Sequence, residues 1–232
     1  MVCHDLFADY CTSRNTFAKL GVSNVSARYE WPRKGKLLEL PKVFKAPELS
    51  GSSFERNVQL KQMGPTLWRK VDHKLIASWI VRDWGGIRGN NDKTIYDYVE
   101  RIENNEFPSE YKGVATYSKI LGLIDPDKWC IYDARVAVSL NCIQLLSSAD
   151  PRSYFPYLAS QNTKINPFKK AFPKLRFLKD GWQEIKPNDV YIRYNKLLQD
   201  LMIEHRIEST YLIEMALFID CEDLISIVQE RF

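Results

Sequence analysis

A lysine inside an apolar helix and an aspartate at the mouth of the next helix are the two residues best placed to do chemistry here. Both lie in "KGVATYSKILGLIDPDKWCIYDARVAVSL", Lys112 to Leu140. Lys119 is followed by Ile120, Leu121 and Leu123. A lysine in such company either snorkels to water or has its charged form disfavoured by desolvation. In the second case its amine becomes a nucleophile usable near neutral pH. Asp133 follows fourteen positions later, directly before the helical "ARVAVSLNCIQLL". It can cap that helix by accepting a backbone N–H, which stabilises by about 1 kcal/mol. It can equally stabilise a developing positive charge or accept a proton. Gly113 opens the first helix either as an ordinary turn or as a turn whose N–H groups meet a phosphate at a helix N-terminus. Taken singly, each residue has a structural explanation. In the order hairpin, lysine, break, aspartate and helix, they outline a site.

The elements that must position these groups are helical. "DHKLIASWIVRDWG" has Asp72 as cap, Leu75, Ile76, Trp79 and Ile80 on one face, and a stop at Gly85. "TIYDYVERIENN" has Thr94 as cap and Ile95, Tyr98, Val99 and Ile102 on one face. Asp133 opens a helix reaching about Leu146. "DVYIRYNKLLQDLMIEH" and "STYLIEMALFIDCEDLISIV" supply two more helices near the end. Residues 1–53 form an irregular N-terminal segment, where prolines and glycines surround "LLEL" and "KVF", and short strands fit better than helices. The expected architecture is mainly α, with residues 54–232 as the helical domain.

Composition permits this and excludes other classes. Of 232 residues, 45% are hydrophobic and 12% aromatic, enough for a sizeable core. The formal charge of +4 permits a polyanionic partner without demanding one. The cysteines (Cys3, Cys11, Cys130, Cys142, Cys221) are odd in number and scattered, with no CxxC pair and no histidine at ligand spacing. Reduced thiols in a cytoplasmic protein are expected, with no zinc or iron–sulfur site, no metal and no cofactor. "MVCHDLFADYC" does not read as a signal peptide, and no apolar run is long enough to span a membrane.

The central stretch resembles the active-site segment of the helix–hairpin–helix DNA glycosylases, especially bacterial proteins with the 8-oxoguanine-glycosylase fold. "KGVATYSKIL" is similar to their L-P-G-V-G hairpin and following lysine. "WCIYDARVAVSL" is similar to their P-x-x-D-x-x-V aspartate segment. "WIVRDWGGIRGN" and "IEMALFIDCEDLI" also look like parts of that subgroup, so the likeness runs from Ile76 to Leu224. Ala115 stands where the second hairpin glycine would lie, and two extra residues separate Gly113 from Lys119. Tyr117 is an alternative occupant of the nucleophile position.

The resemblance implies a monomeric enzyme that flips a modified base out of double-stranded DNA and excises it, with Lys119 and Asp133 as catalytic pair. The substrate it implies is an oxidised purine. Bacterial relatives also look like phage-defence components, for which a hypermodified base such as a modified cytosine is the target. Lys112, Gly113, Val114, Ala115 and Thr116 would hold backbone phosphate. In "DWGGIRGNN", Trp84 would wall the base pocket with Tyr117 and Tyr132, while Arg88, Asn90 and Asn91 could contact bases. The alternative is that Gly85-Gly86 merely ends a helix. "INPFKKAFPKLRFLKDGW" interleaves Lys169, Lys170, Lys174, Arg176 and Lys179 with rings, which suits phosphate contact or a solvated loop. The rival from another class is a catalytically inert DNA-binding module that uses the hairpin only for grip.

Overall fold

The computed structural model describes residues 4–32, 38–106, 110–147 and 150–232. The chain is mainly α-helical, as expected. In order it forms α1 (Asp5–Cys11), α2 (Val25–Arg28), α3 (Ser53–Lys70), α4 (His73–Trp79), α5 (Asp92–Glu103), α6 (Val114–Ile124) and α7 (Ala134–Leu146). There follow α8 (Ile165–Ala171), α9 (Lys174–Lys179), α10 (Val190–Glu204) and α11 (Thr210–Arg231). The described strands, β1 (Ser153–Tyr154) and β2 (Gln183–Glu184), make one short parallel pair beside α9.

The organising contact is α7 against α11. Both helices are apolar around most of their circumference and bury residues from Val136 to Leu146 and from Thr210 to Val228. Helices of that kind are stable only with neighbours on several sides. Here α10, α2 and α8 pack around α11, while α1 packs on α7 and α10. On the other side α6 lies against α3, where a Cβ on Gly64 would stand 1.9 Å from the carbonyl oxygen of Leu123.

The N-terminal segment differs from expectation. No strand occurs among its described residues. Lys42–Phe44 is a 3-10 turn, Leu38–Leu40 is irregular, and Leu37 lies outside the described residues. The reason is period: Leu6, Phe7, Tyr10 and Cys11 recur at helical spacing and are buried as one face of α1. These side chains join the same hydrophobic core as α7 and α11. Two helix details also differ. Asn91, not Thr94, caps α5, its Oδ1 accepting the Thr94 N–H at 2.8 Å. Leu75 is exposed, because Asp72 caps α4 so as to turn Ile76, Trp79 and Ile80 inward.

Cys11, Cys130, Cys142 and Cys221 are free and buried, while Cys3 lies outside the described residues. Burial pushes the Cys11, Cys130 and Cys221 thiols up to about 12, which removes their nucleophilic form. Among the described residues, no helix is long and apolar enough to cross a membrane.

The close approach at Gly64 makes a direct test of the α3–α6 contact. Gly64→Ala gains about 1 kcal/mol of helix propensity but forces a Cβ into a backbone carbonyl, an overpacking cost of roughly 1–3 kcal/mol. Because the obstacle is backbone and cannot rotate away, the cost wins. The melting temperature should fall by several degrees in a calorimetric scan. An unchanged or higher value would mean that the helices are free to separate.

Candidate active site

Gly113 sits at φ +85°, and a Cβ there would meet the Tyr98 hydroxyl at 1.8 Å. Glycine is therefore demanded by both conformation and space. The turn is closed by N–H bonds from Val114 to Tyr111 O (3.2 Å) and from Thr116 to Gly113 O (2.8 Å). Beyond it α6 is buried almost throughout, and Lys119 is only 6% exposed. Space for its stem comes from the preceding element. After α4 the chain makes a π-helical turn, Ile80–Trp84, closed by Gly85 N–H to Ile80 O at 2.7 Å. A Cβ on Gly85 would stand 2.5 Å from Lys119 Cδ.

Asp133 arrives on an extended stretch that is unusually constrained. The Cys130 N–H donates to Asn195 Oδ1 on α10 (2.7 Å), and the Ile131 N–H to Glu214 Oε2 on α11 (2.9 Å). The Tyr132 N–H donates to Ser118 Oγ on α6 (3.1 Å). Three successive backbone donors are thus held by three different helices. At Asp133 the carboxylate divides its duties. Oδ1 accepts the N–H groups of Arg135 (2.9 Å) and Val136 (3.1 Å), capping α7, while Oδ2 lies 3.7 Å from Lys119 Nζ. The expected cap is present, and the second oxygen of the same carboxylate is left on the side of the lysine amine.

Lys119 and Asp133 line a cleft of about 940 Å³. Its walls include Tyr29, Trp31, Trp84 and Phe218. The indole N–H of Trp31 donates to Trp84 O (2.8 Å), and that of Trp84 to Asn57 Oδ1 (3.0 Å), so the polar edges are tied up inside the protein. Trp31 meets Phe218 edge-on at 5.2 Å. Burial, and then the nearby carboxylates of Glu214 and Asp133, push the Tyr29 phenol well above its ordinary value, so it stays an O–H. Behind the wall, Lys61 is fully buried and paired with Glu214 at 3.0 Å. On the rim, the Asn162 amide and then the Arg135 and Lys164 charges hold Glu222 below the usual carboxylate range.

The other expected site residues divide. Trp84, Ala115 and Thr116 line the cleft, as does Arg88, which is exposed in the loop after Gly86. Lys112 is exposed beside the hairpin. Asn90 is committed to structure: its amide donates to Thr116 Oγ1 (2.5 Å), and its carbonyl accepts from Arg82. The Val114 side chain is wholly in the core, which leaves only its backbone near the turn.

Tyr117 and Tyr132 are not in the pocket. Tyr117 lies two residues before Lys119, roughly 200° around the helix. It is buried against Tyr98 and Tyr191, with its hydroxyl on Glu110 O at 2.8 Å. Burial and Glu110 push its phenol up, which removes it as a nucleophile. Tyr132 precedes Asp133 in an extended stretch and so points the opposite way, to Tyr194 and Pro156 O. The basic segment lies apart from the cleft. Lys169 donates to Leu158 O (2.8 Å), Lys174 pairs with Glu184, and Arg176 stacks 4.2 Å from the Phe172 ring, while Lys170 and Lys179 are exposed. None of these lines the cleft.

Sequence reasoning missed Tyr29, Trp31, Glu214 and Phe218. The available signal was "YEWP", two aromatics in a segment otherwise read as irregular. Among the described residues, no three His, Cys, Asp or Glu gather as a metal site. No family model, no curated protein and no solved structure matches the chain.

The stability of this site can be separated from its chemistry. The Lys119–Asp133 approach is longer than a hydrogen bond, and the amine is nearly buried, so the pair offsets little of the lysine's desolvation. Lys119→Met, with a stem of similar length and no charge, should melt at or above the parent temperature. Ile120→Ala, one residue on, should cost about 2–5 kcal/mol as an ordinary core truncation. A large loss of stability in Lys119→Met would make this lysine a structural member of the core.

Proposed function

We propose that the protein is a DNA N-glycosylase acting on a modified base flipped from the duplex. The observation that carries this reading is the approach of Lys119 Nζ to Asp133 Oδ2, 3.7 Å apart in a cleft walled by aromatic rings. Flipping a base costs a few kcal/mol, which stacking between aromatic side chains offsets. The flipped base stacks against the Trp31 and Trp84 wall, and the sugar C1′ lies toward Lys119 and Asp133.

As the glycosidic bond breaks, C1′ takes on oxocarbenium character and the base leaves with the bonding electron pair. Asp133 Oδ2 is the fixed negative group that stabilises this state. The Lys119 amine gives up a proton to Oδ2 and attacks C1′. A carbon–nitrogen bond then replaces the glycosidic bond; the proton held on Oδ2 passes to O4′ as the C1′–O4′ bond breaks, the nitrogen loses a second proton to the freed carboxylate, and an imine is left. The Gly113 turn and Lys112 face the phosphates next to the extruded nucleotide. The target class is an oxidised purine or a hypermodified base such as a modified cytosine.

Borohydride trapping on a panel of duplexes, each with one modified base, tests the covalent step. The expected result is a reduced protein–DNA adduct that migrates slowly on a denaturing gel and is lost in Lys119→Ala. Excision with strand scission only after alkali, and no adduct, would instead make water the nucleophile and Asp133 its base. Excision of no base by the folded protein would overturn the proposal.

Asp133→Asn separates cap from chemistry, because asparagine caps helices about as well as aspartate. Folding and DNA binding should survive, while excision should fall on the order of 100-fold or more. Near-parental excision would reduce Asp133 to its capping role.

Grip on undamaged duplex has its own test. Log affinity should fall linearly with log salt, and Lys112→Ala should reduce the slope by about 0.9, one phosphate contact. An unchanged slope would place the hairpin away from the DNA backbone.

A further inference from the structure

Helix α11 sends two side chains one turn apart to the cleft, Glu214 and Phe218. Phe218 adds a ring to the wall. Glu214 needs a different explanation, because a carboxylate only 4% exposed is costly unless its oxygens find donors. Its described donors are the ammonium of Lys61 at 3.0 Å and the N–H of Ile131 at 2.9 Å, and both reach Oε2. Lys61 is fully buried on the far side of the carboxylate and also lies 5.8 Å from the centre of the Trp84 ring. The charge pair therefore fixes the orientation of Glu214 from behind. Oε1 has no donor among the described residues and is the oxygen left for the cleft.

A carboxylate oxygen can accept a hydrogen bond and cannot give one. Placed in an aromatic slot, it distinguishes a ring that offers an N–H from one that offers a carbonyl oxygen at the same edge. The first completes the hydrogen bonding of Oε1, and the second sets lone pairs against a negative charge. Glutamate accepting from the amino group of cytosine is an established pairing in base recognition, with each good contact discriminating by about 1–3 kcal/mol. We infer that Glu214 reads the amino group of the flipped base, so that the cleft selects cytosine- or adenine-type bases over their carbonyl counterparts. This specificity rests on the glycosylase reading above and narrows its substrate class to an amino-bearing base.

Equilibrium dialysis of the labelled free bases tests the inference without requiring turnover. Cytosine and uracil form one pair, adenine and hypoxanthine the other; the members of each differ at the amino or carbonyl group and at the adjacent ring nitrogen, an acceptor in the amino base and an N–H in the carbonyl base. Dialysis is run with duplex containing a tetrahydrofuran abasic site, which leaves the slot vacant. The amino base should bind about tenfold or more tighter in at least one pair, and the carbonyl base should be preferred in neither. Glu214→Gln keeps an oxygen for Lys61 and Ile131 and turns an NH₂ to the cleft, so the preference should vanish or reverse. Phe218→Ala should weaken both members alike and leave the preference intact, which keeps the test valid if Glu214→Gln fails to fold. Equal binding within both pairs, binding of none of the four, or a preference unchanged in folded Glu214→Gln would overturn the inference. Excision of modified bases without amino preference would sink this inference alone. Amino preference without excision from any duplex would sink the glycosylase reading instead.

Discussion

The backbone N–H groups of Cys130, Ile131 and Tyr132 are anchored in turn by Asn195, Glu214 and Ser118. The cleft depends on this stretch because it delivers Asp133 at the start of α7. An extended segment buried between helices has no ladder partner of its own, and each unpaired donor would cost about 1–3 kcal/mol. Side chains from α10, α11 and α6 replace the missing strand. Tyr194 adds a further bond to Ile131 O at 3.0 Å. The carboxylate of Asp133 is consequently held by the register of three helices.

The same logic explains how the N-terminal segment belongs to the site. Asp220 on α11 is 1% exposed and accepts from the Tyr10 hydroxyl at 3.1 Å and the Gly21 N–H at 2.7 Å, and it pairs with Arg28. A buried carboxylate with that many donors ties α1, the turn after it and α2 to the central helix. Tyr29 follows Arg28 directly, and Trp31 lies two residues further on, so the anchor also places two walls of the cleft. Removing one partner of such a buried pair is far more damaging than its net contribution suggests, since the other charge is left without compensation.

Much of the site's local geometry was legible in the chain. The cap at Asp133, the turn at Gly113, the helix that buries Lys119 and the apolar faces of α5 and α7 follow from patterns within a few residues. What could not be read depends on rotation or on distance. Tyr117 shares a helix with Lys119, yet points away from it. Tyr132 adjoins Asp133, yet alternation in an extended stretch turns it to the core. The expected strand at "KVF" is instead a 3-10 turn that sends Phe44 into the core against Trp79, a contact set by distant packing. Glu214 and Trp31 are separated from Lys119 by nearly a hundred residues each, and only packing brings them together. The pairing of Lys174 with Glu184, ten residues later, likewise comes from packing rather than from local pattern.

Lys119 shows most clearly how the fold accommodates a group that is poor for stability. A straight α-helical continuation of α4 would bring the usual i to i+4 hydrogen bonds through Gly85. The structure has a wider π turn there instead, of a kind that recurs at functional sites. Widening the turn and omitting a Cβ at Gly85 open the volume that the Lys119 stem occupies. The pocket side of α6 thus has space made for a long cationic side chain, while its opposite side is packed with Tyr117 and other core residues. The glycine and the π turn act as one device, since a Cβ at Gly85 would also stand 2.6 Å from Ile80 O and 3.0 Å from Val81 O, and together they leave room beside a lysine whose amine lies near a capping carboxylate.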